Sequence, residues 1–355
     1  MSREIAGKET GGPAVSVIIP TYNCARYLPE AIDSALAQTY RPLEIVVVDD
    51  GSVDDTPAIL ASYGKSVLVV RQDNRGLPAA RNVGIRHASG ECIAFLDADD
   101  VWLPDKLAVQ IAALSGTPEA GIAFTDAEAF AEGGVIRESL LVSGRAFVAA
   151  WLEGHRVSDG VSAGWAYEEF LIGNWIATPT MAVVRRAALR AAGLFNESLR
   201  DCEDYDLWLR VIQRFPVVVV QHPLARYRIR VDGLSAARFG ERADRLRPFT
   251  EAIRARHLQT IPPGLPPEAA RGLERFLWRQ AHNLLFGERP AEVRTYARHC
   301  LRRRSQVGRA VAYLAASYLP TSGVRAVQRV LAKLGHGRAT VTSNNHEDGL
   351  APGRG

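Results

Sequence analysis

The sequence predicts an α/β fold: a doubly wound, mostly parallel sheet followed by an α-helical C-terminal extension. In the first 235 residues, short β-branched runs recur and amphipathic stretches separate them. That βαβα alternation builds a parallel sheet with right-handed crossovers. Further on, from about residue 240, the chain becomes Arg-rich and helical. Residues 1–235 hold 22 basic and 30 acidic side chains, and residues 236–355 hold 21 basic and 9 acidic. A formal net charge of +4 therefore conceals an acidic front and a basic back, which predicts two parts with different partners.

Val15 to Pro20 reads as a strand closed by proline, Glu44 to Asp49 as a second, Ser66 to Val70 as a third and Cys92 to Leu96 as a fourth. Continuous apolar runs of this kind suit strands buried on both faces. Between them, Tyr27 to Gln38 places Leu28, Ile32, Ala35 and Leu36 at helical spacing. Asp54-Asp55-Thr56-Pro57 offers a cap and an early proline before Ile59 and Leu60. Gly76-Leu77-Pro78 opens a helix that runs to His87, with Ser89-Gly90 as its stop. Residues 130–180 are less regular; their glycines, with Trp151, Trp165 and Trp175, predict an insertion with a small aromatic core, ahead of an acceptor-binding lid. Pro262 to Pro267 breaks the helical back. Val324, Val327, Val330, Leu331 and Leu334 share one face of a last helix, opposite Arg325, Arg329 and Lys333. The tail after Gly335 is polar, Gly-rich and expected to be disordered.

The composition, 47% apolar and 23% charged, excludes collagenous, wholly disordered and disulfide-scaffold classes. Cys24, Cys92, Cys202 and Cys300 lie far apart with no CxxC pair, which predicts reduced thiols in a cytoplasmic setting. The first residues lack the apolar core of a signal peptide. The run Ala310 to Leu319 falls short of the ~20 apolar residues that span a membrane.

Acidic residues gather where the strands end. The second strand gives way to Asp49-Asp50-Gly51-Ser52 and the fourth to Asp97-Ala98-Asp99-Asp100. Adjacent carboxylates repel unless they meet a cation or strong donors. Mg²⁺ in particular takes one or two carboxylates plus phosphate oxygens. Asp-x-Asp alone is more often a solvated turn, but its place directly after a buried strand points to metal–diphosphate binding. In Glu203-Asp204-Tyr205-Asp206, acidic residues occupy the first turn of an amphipathic helix. Favourable charges at a helix N-terminus and a general base at the cleft are comparable readings of it.

The motifs Val15-Ser-Val-Ile-Ile-Pro-Thr-Tyr-Asn23, Ala35-Leu-Ala-Gln-Thr-Tyr40, Val48-Asp-Asp-Gly-Ser52, Asn74-Arg-Gly-Leu77, Ala80-Arg-Asn-Val-Gly84, Phe95-Leu-Asp-Ala-Asp-Asp100 and Glu203-Asp-Tyr-Asp-Leu-Trp208 occur in this order. As an ordered set over residues 14–235 they resemble the family 2 glycosyltransferases of GT-A fold. The stretch Leu224 to Arg230 also resembles that family's closing strand. The resemblance implies a Rossmann-like GT-A domain at 14–235, with a nucleotide-sugar half at about 14–130 and an acceptor half at about 131–235. Around it lie a disordered 1–13, a basic helical region at 236–336 and a disordered tail at 337–355.

The same resemblance implies roles for single residues. Pro20 and Tyr22 would border the nucleotide base, and Asp50 would accept a hydrogen bond from it, most simply from the imide of uracil or thymine. Arg81 would sit near the ribose or diphosphate. Asp97 would lie near the ribose and the metal shell, and Asp99 would be the principal ligand of Mn²⁺ or Mg²⁺. Asp204 would be the general base, with Glu203 supporting it. Many relatives carry a histidine where Arg230 stands. Arginine cannot ligate metal, but its planar fork can clamp phosphate oxygens. Arg228 or Arg230, with the metal, would neutralise the leaving diphosphate.

The reading is an inverting, metal-dependent glycosyltransferase that uses a UDP- or dTDP-sugar and a hydroxyl-bearing glycan or lipid-linked acceptor, in cell-surface polysaccharide or glycolipid assembly. Its rivals are a sugar nucleotidyltransferase and a non-catalytic nucleotide-sugar-binding module. The first is disfavoured by Thr21-Tyr22-Asn23-Cys24, which stands where that class keeps a Gly-rich basic loop. Intact Asp97, Asp99 and Asp204 disfavour the second. His155, His222, His257 and His299 share no metal spacing, and Cys202 has no histidine partner nearby in sequence. The basic back suits a helical cap or a peripheral contact with the anionic inner face of the cell membrane. No recognition fold suggests nucleic acid.

Overall fold

The computed structural model describes residues 12–141, 146–230, 239–262, 264–286, 293–294, 296–298 and 307–318. In chain order the elements begin β1 (Val15–Thr21), α1 (Leu28–Leu36), β2 (Leu43–Asp49), α2 (Thr56–Ser62), β3 (Leu68–Arg71), α3 (Leu77–His87) and β4 (Cys92–Phe95). Each matches a segment expected from hydrophobic pattern. The proline at position 20 does not end its strand: β1 continues to Thr21, and Pro20 sits in register with Val48. Four parallel strands in the order β3-β2-β1-β4 form the first half of the sheet. β1 is buried along its whole length, as a central parallel strand requires.

The second half comprises β5 (Val101–Trp102), α4 (Lys106–Ser115), β6 (Ile122–Ala131), β7 (Gly134–Arg137), α5 (Ala146–Gly154), β8 (Arg156–Ser158), β9 (Val161–Gly164), α6 (Tyr167–Ile172), β10 (Ala182–Arg185), α7 (Arg186–Ala192), α8 (Glu203–Ile212) and β11 (Val217–Arg228). The sheet continues β4-β10-β6-β11-β9-β8. β10 lies antiparallel to both β4 and β6, and β11 runs parallel to β6. The irregular middle of the sequence is an excursion between β6 and β10 with the expected aromatic core. Trp151 and Trp175 meet edge-on at 5.3 Å, and Phe124 and Phe170 at 5.9 Å. His155 stacks on Trp151 at 4.3 Å, a packing role.

α3 positions the site, and Gly84 lets it approach the sheet. A Cβ at Gly84 would stand 2.4 Å from Ile18 Cγ2, so any side chain there would push the helix off β1.

After β11 come α9 (Phe239–Gln259), α10 (Pro267–Phe286) and α11 (Val307–Ala316). The expected break at the prolines separates α9 from α10. The chain divides into compact units Met1–Gly272 and Leu273–Gly355. α9 falls within the first unit because it packs against α6 and α8. Arg256 pairs with Asp206 at 2.6 Å, Arg254 donates to the Leu171 carbonyl at 3.0 Å, and Ile253 and Leu258 are buried. Within the second unit, Phe276 meets Tyr296 at 6.4 Å and Trp278 meets Tyr313 at 5.5 Å. The expected amphipathic helix at 324–334 and both expected disordered ends, apart from residues 12 and 13, lie outside the described residues. Among the described residues no helix is long and apolar enough to cross a membrane.

His257 on α9 is hydrogen-bonded through Nε2 to the Tyr167 hydroxyl at 2.8 Å, and burial lowers its pKa to about 4. The unfolded chain protonates this histidine below about pH 6.5, whereas the fold refuses the proton until about pH 4. Stability should therefore fall between those values as pH drops, by up to ~1.4 kcal/mol per pH unit. Urea titrations of the wild type and His257→Asn across that range should show a flatter profile in the variant.

Candidate active site

The carboxyl ends of β1, β2 and β4 meet the N-terminus of α8 at one mouth of the sheet. Tyr22, just past β1, is half exposed at 51%, while Pro20 is buried within the strand. Asn23 holds a left-handed φ of 48°. It is fixed there by donating its N–H to Ser52 Oγ at 2.9 Å and accepting Val53 N–H at Oδ1.

Asp50 follows β2 and is buried. Its Oδ1 accepts from Gln72 Nε2 at 2.6 Å and Arg75 N at 2.9 Å, and its Oδ2 from Gly76 N at 2.8 Å. Asp50 thus holds the loop that opens α3. A carboxylate offers about four acceptor positions, so capacity for one further N–H remains on Oδ2.

Asp97, Asp99 and Asp100 follow β4 in unlike environments. Asp100 is buried and structural: Thr180 Oγ1 donates to it at 2.6 Å, Thr178 Oγ1 at 3.3 Å and Arg228 N at 2.9 Å. Burial, then repulsion from Asp99 and Asp97, raises its pKa well above the carboxylate range. The Asp97 and Asp99 side chains are partly exposed, at 22% and 28%. Burial and the neighbouring Asp97 raise the Asp99 pKa, against the opposing pull of Arg230.

Arg81 on α3 is 1% exposed. Its Nη2 pairs with Asp97 Oδ1 at 2.7 Å and its Nη1 with Glu203 Oε1 at 2.5 Å. Burial disfavours its charge, but Asp97 and Glu203 outweigh that and raise its pKa. Arg81 is therefore a charged strut joining the loop after β4 to the first residue of α8. Asp204 is the next residue; its Oδ1 accepts the N–H of Tyr205 at 2.7 Å. Cys202, before the helix, takes a left-handed φ of 58°, a strained turn that aims the chain into α8.

At the end of β11 the side chains of Arg226, Arg228 and Arg230 alternate with aromatic rings. Arg226 and Arg228 lie 4.5 Å and 4.4 Å from the Phe130 ring centre, and Arg228 and Arg230 lie 5.0 Å and 4.7 Å from that of Tyr27. Arg230 Nη1 reaches Asp99 Oδ2 at 3.1 Å. Arg228 is tied to Glu30 and donates Nε–H to the Asp99 carbonyl at 2.7 Å. Arg228 thus buttresses the loop after β4 from β11.

Asp97 and Asp99 are hard oxygen donors close enough to raise the Asp99 pKa, a donor set that fits Mn²⁺ or Mg²⁺. Among the described residues no group of three His, Cys, Asp or Glu could hold a metal. Sequence reasoning missed Asn82, Tyr27, Glu30 and the threonines at 178 and 180. Only the alternating arginines at 226, 228 and 230 left a visible trace, a period of two on one strand face.

The family model for glycosyl transferase family 2 matches residues 16–192. This chain is 33% identical over 223 residues to the uncharacterized glycosyltransferase RT0329 of Rickettsia typhi, covering 62% of this chain and 66% of that protein. It spans only 31% and 32% of two further Rickettsia relatives. Among solved structures, S. aureus TarS 1–349 in complex with UDP aligns over 89% of this chain and 91% of that one, at 19% identity and a TM-score of 0.51. The mannosyltransferase PcManGT from Pyrobaculum calidifontis, in complex with GDP-Man and Mn²⁺, aligns over 94% and 84%, at 23% identity and a TM-score of 0.52. The chain belongs to the family 2 glycosyltransferases and has the GT-A fold.

Asp50→Ala removes the acceptor of two backbone N–H groups. With charge-assisted bonds worth ~1.5–3 kcal/mol, amide exchange at Arg75 and Gly76 should quicken about tenfold or more. Unchanged exchange measured by mass spectrometry would show that other contacts hold the loop.

Proposed function

We propose that this chain is an inverting glycosyltransferase that moves a sugar from a nucleoside diphosphate to a hydroxyl acceptor. The observation that carries this reading is Arg81, which draws the donor-side carboxylate Asp97 and the base-side pair Glu203-Asp204 to one cleft. The complexes of TarS with UDP and of PcManGT with GDP-Man and Mn²⁺ support a nucleotide-sugar donor. The remaining acceptor position on Asp50 suits an imide N–H, and favours UDP or dTDP as carrier, with Tyr22 beside the base. Glycan or lipid-linked hydroxyls are the acceptors in this reading, within cell-surface polysaccharide or glycolipid synthesis.

Asp204 takes the proton of the acceptor hydroxyl as its oxygen attacks the anomeric carbon from the face opposite the diphosphate. That single displacement inverts the configuration. Glu203, paired with Arg81, keeps the first turn of α8 in place. The Arg230 fork meets phosphate oxygens on the leaving side. Asp99, with Asp97, would hold a divalent cation, which supplies Lewis-acid neutralisation of the leaving group when bound.

A thermal-shift screen of nucleotide sugars with Mn²⁺ should single out one donor by linked stabilisation. Asp204→Asn should keep that shift and lose transfer by at least ~10²-fold; a folded variant with normal turnover would remove Asp204 from the role of base. The net basic stretch 236–355 supports a peripheral contact with anionic lipid on the cytoplasmic face. The full chain should float with phosphatidylserine-containing vesicles at low salt and not with neutral ones; equal failure with both would exclude that contact.

A further inference from the structure

α3 turns two consecutive buried side chains toward the segment that leads into α8. Asn82 treats Phe195 as one amide treats another: its Nδ2 donates to the Phe195 carbonyl at 2.9 Å and its Oδ1 accepts the Phe195 N–H at 2.9 Å. The same Nδ2 also donates to Glu197 Oε1 at 2.9 Å. Glu197 is gripped from its other oxygen by Arg75 at 2.8 Å. Arg81 holds the far end of the segment at Glu203 and lies 5.4 Å from the Phe195 ring centre. The Phe195 ring meets Phe95 of β4 edge-on at 5.4 Å. The stretch from 195 to 203 is therefore pinned at both ends by one helix, and that helix is pressed onto β1 at Gly84.

We propose that Arg81 and Asn82 are positioning residues that set the placement of Asp204, Asn82 doing so from behind the cleft. The inference rests on the reading of Asp204 as the base. The logic is geometric. Asp204 stands one residue past a buried carboxylate and two past a left-handed turn, so it has no slack of its own. Its reach is decided by where the 195–203 stretch is anchored. Misplacing a reacting group by about 1 Å costs up to ~10²-fold in rate. Asn82 touches neither of the metal-side carboxylates, so its removal should leave nucleotide binding alone.

The test uses the full chain with Mn²⁺ and follows hydrolysis of UDP-glucose, UDP-N-acetylglucosamine and GDP-mannose, water serving as acceptor. UDP and GDP affinities are measured by calorimetry on the same proteins. Asn82→Ala should lower kcat about tenfold or more, with nucleoside diphosphate affinity kept within about twofold. In an Asp204→Asn background the same substitution should cost nothing further, because a residue that acts through Asp204 has nothing left to place. Loss of nucleotide affinity in step with kcat, or a loss that compounds in the Asp204→Asn background, overturns the proposal. Should Asn82→Ala fail to fold, Asn82→Asp carries the same cycle, since it keeps an acceptor for the Phe195 N–H and loses the donor to the Phe195 carbonyl. Wild-type turnover by Asp204→Asn alone is a separate result: it removes the base reading and this proposal with it.

Discussion

The site hangs on one buried guanidinium. Arg81 is enclosed by protein and shared between Asp97 and Glu203. Charges taken out of water are costly to bury, and their mutual attraction compensates only when the geometry is good. Here the planar fork points one nitrogen at each carboxylate, an arrangement a point charge cannot reproduce. Removing one member of such a group leaves the others buried and unpaired, a loss of about 3–5 kcal/mol. The consequence reaches both sides of the cleft. The loop after β4 and the start of α8 come from distant parts of the chain, and α3 makes them neighbours.

Much of the parallel half was legible in the sequence because each strand and helix declares itself locally. β-branched runs and helical spacing need no tertiary information, and β1, β2, β4 and α3 fall within a residue or two of their expected limits. The acidic clusters were legible for the same reason: carboxylates directly after apolar runs mark strand ends at a cleft. What sequence could not supply was pairing at a distance. Arg81 stands 16 residues from Asp97 and 122 from Glu203, and nothing in spacing joins them. Asn82 and Phe195 are likewise 113 residues apart. Nor does spacing join Arg228 to Glu30 and the Asp99 carbonyl, 198 and 129 residues away. The place of α9 in the first compact unit was not legible, because its ties to α6 and α8 are made by single arginines and a histidine, which carry no periodic signal.

The three aspartates after β4 show how one short acidic run divides its labour. Asp100 takes hydroxyls and a backbone N–H, and serves to knit the loop to β11. Asp97 and Asp99 keep partial exposure, each with one arginine partner of opposite disposition. The partner of Asp97 is sealed in the interior, whereas that of Asp99 sits at the rim. The pair is thus fixed on one side and responsive on the other. In the proposed role, arginine at 230 serves as a fixed cation that meets oxygen anions directly.

The stack of Arg226, Phe130, Arg228, Tyr27 and Arg230 along the end of β11 has a further meaning. A free arginine side chain carries about 2 kcal/mol of rotational freedom that it must surrender to grip an anion. Here the rings and the partner carboxylates have already removed most of that freedom before any anion arrives. The guanidinium at the rim is therefore held in a state that is low in entropy and weakly hydrated. In the proposed role, its grip on phosphate oxygens rests on shape and angle more than on the search of a flexible chain.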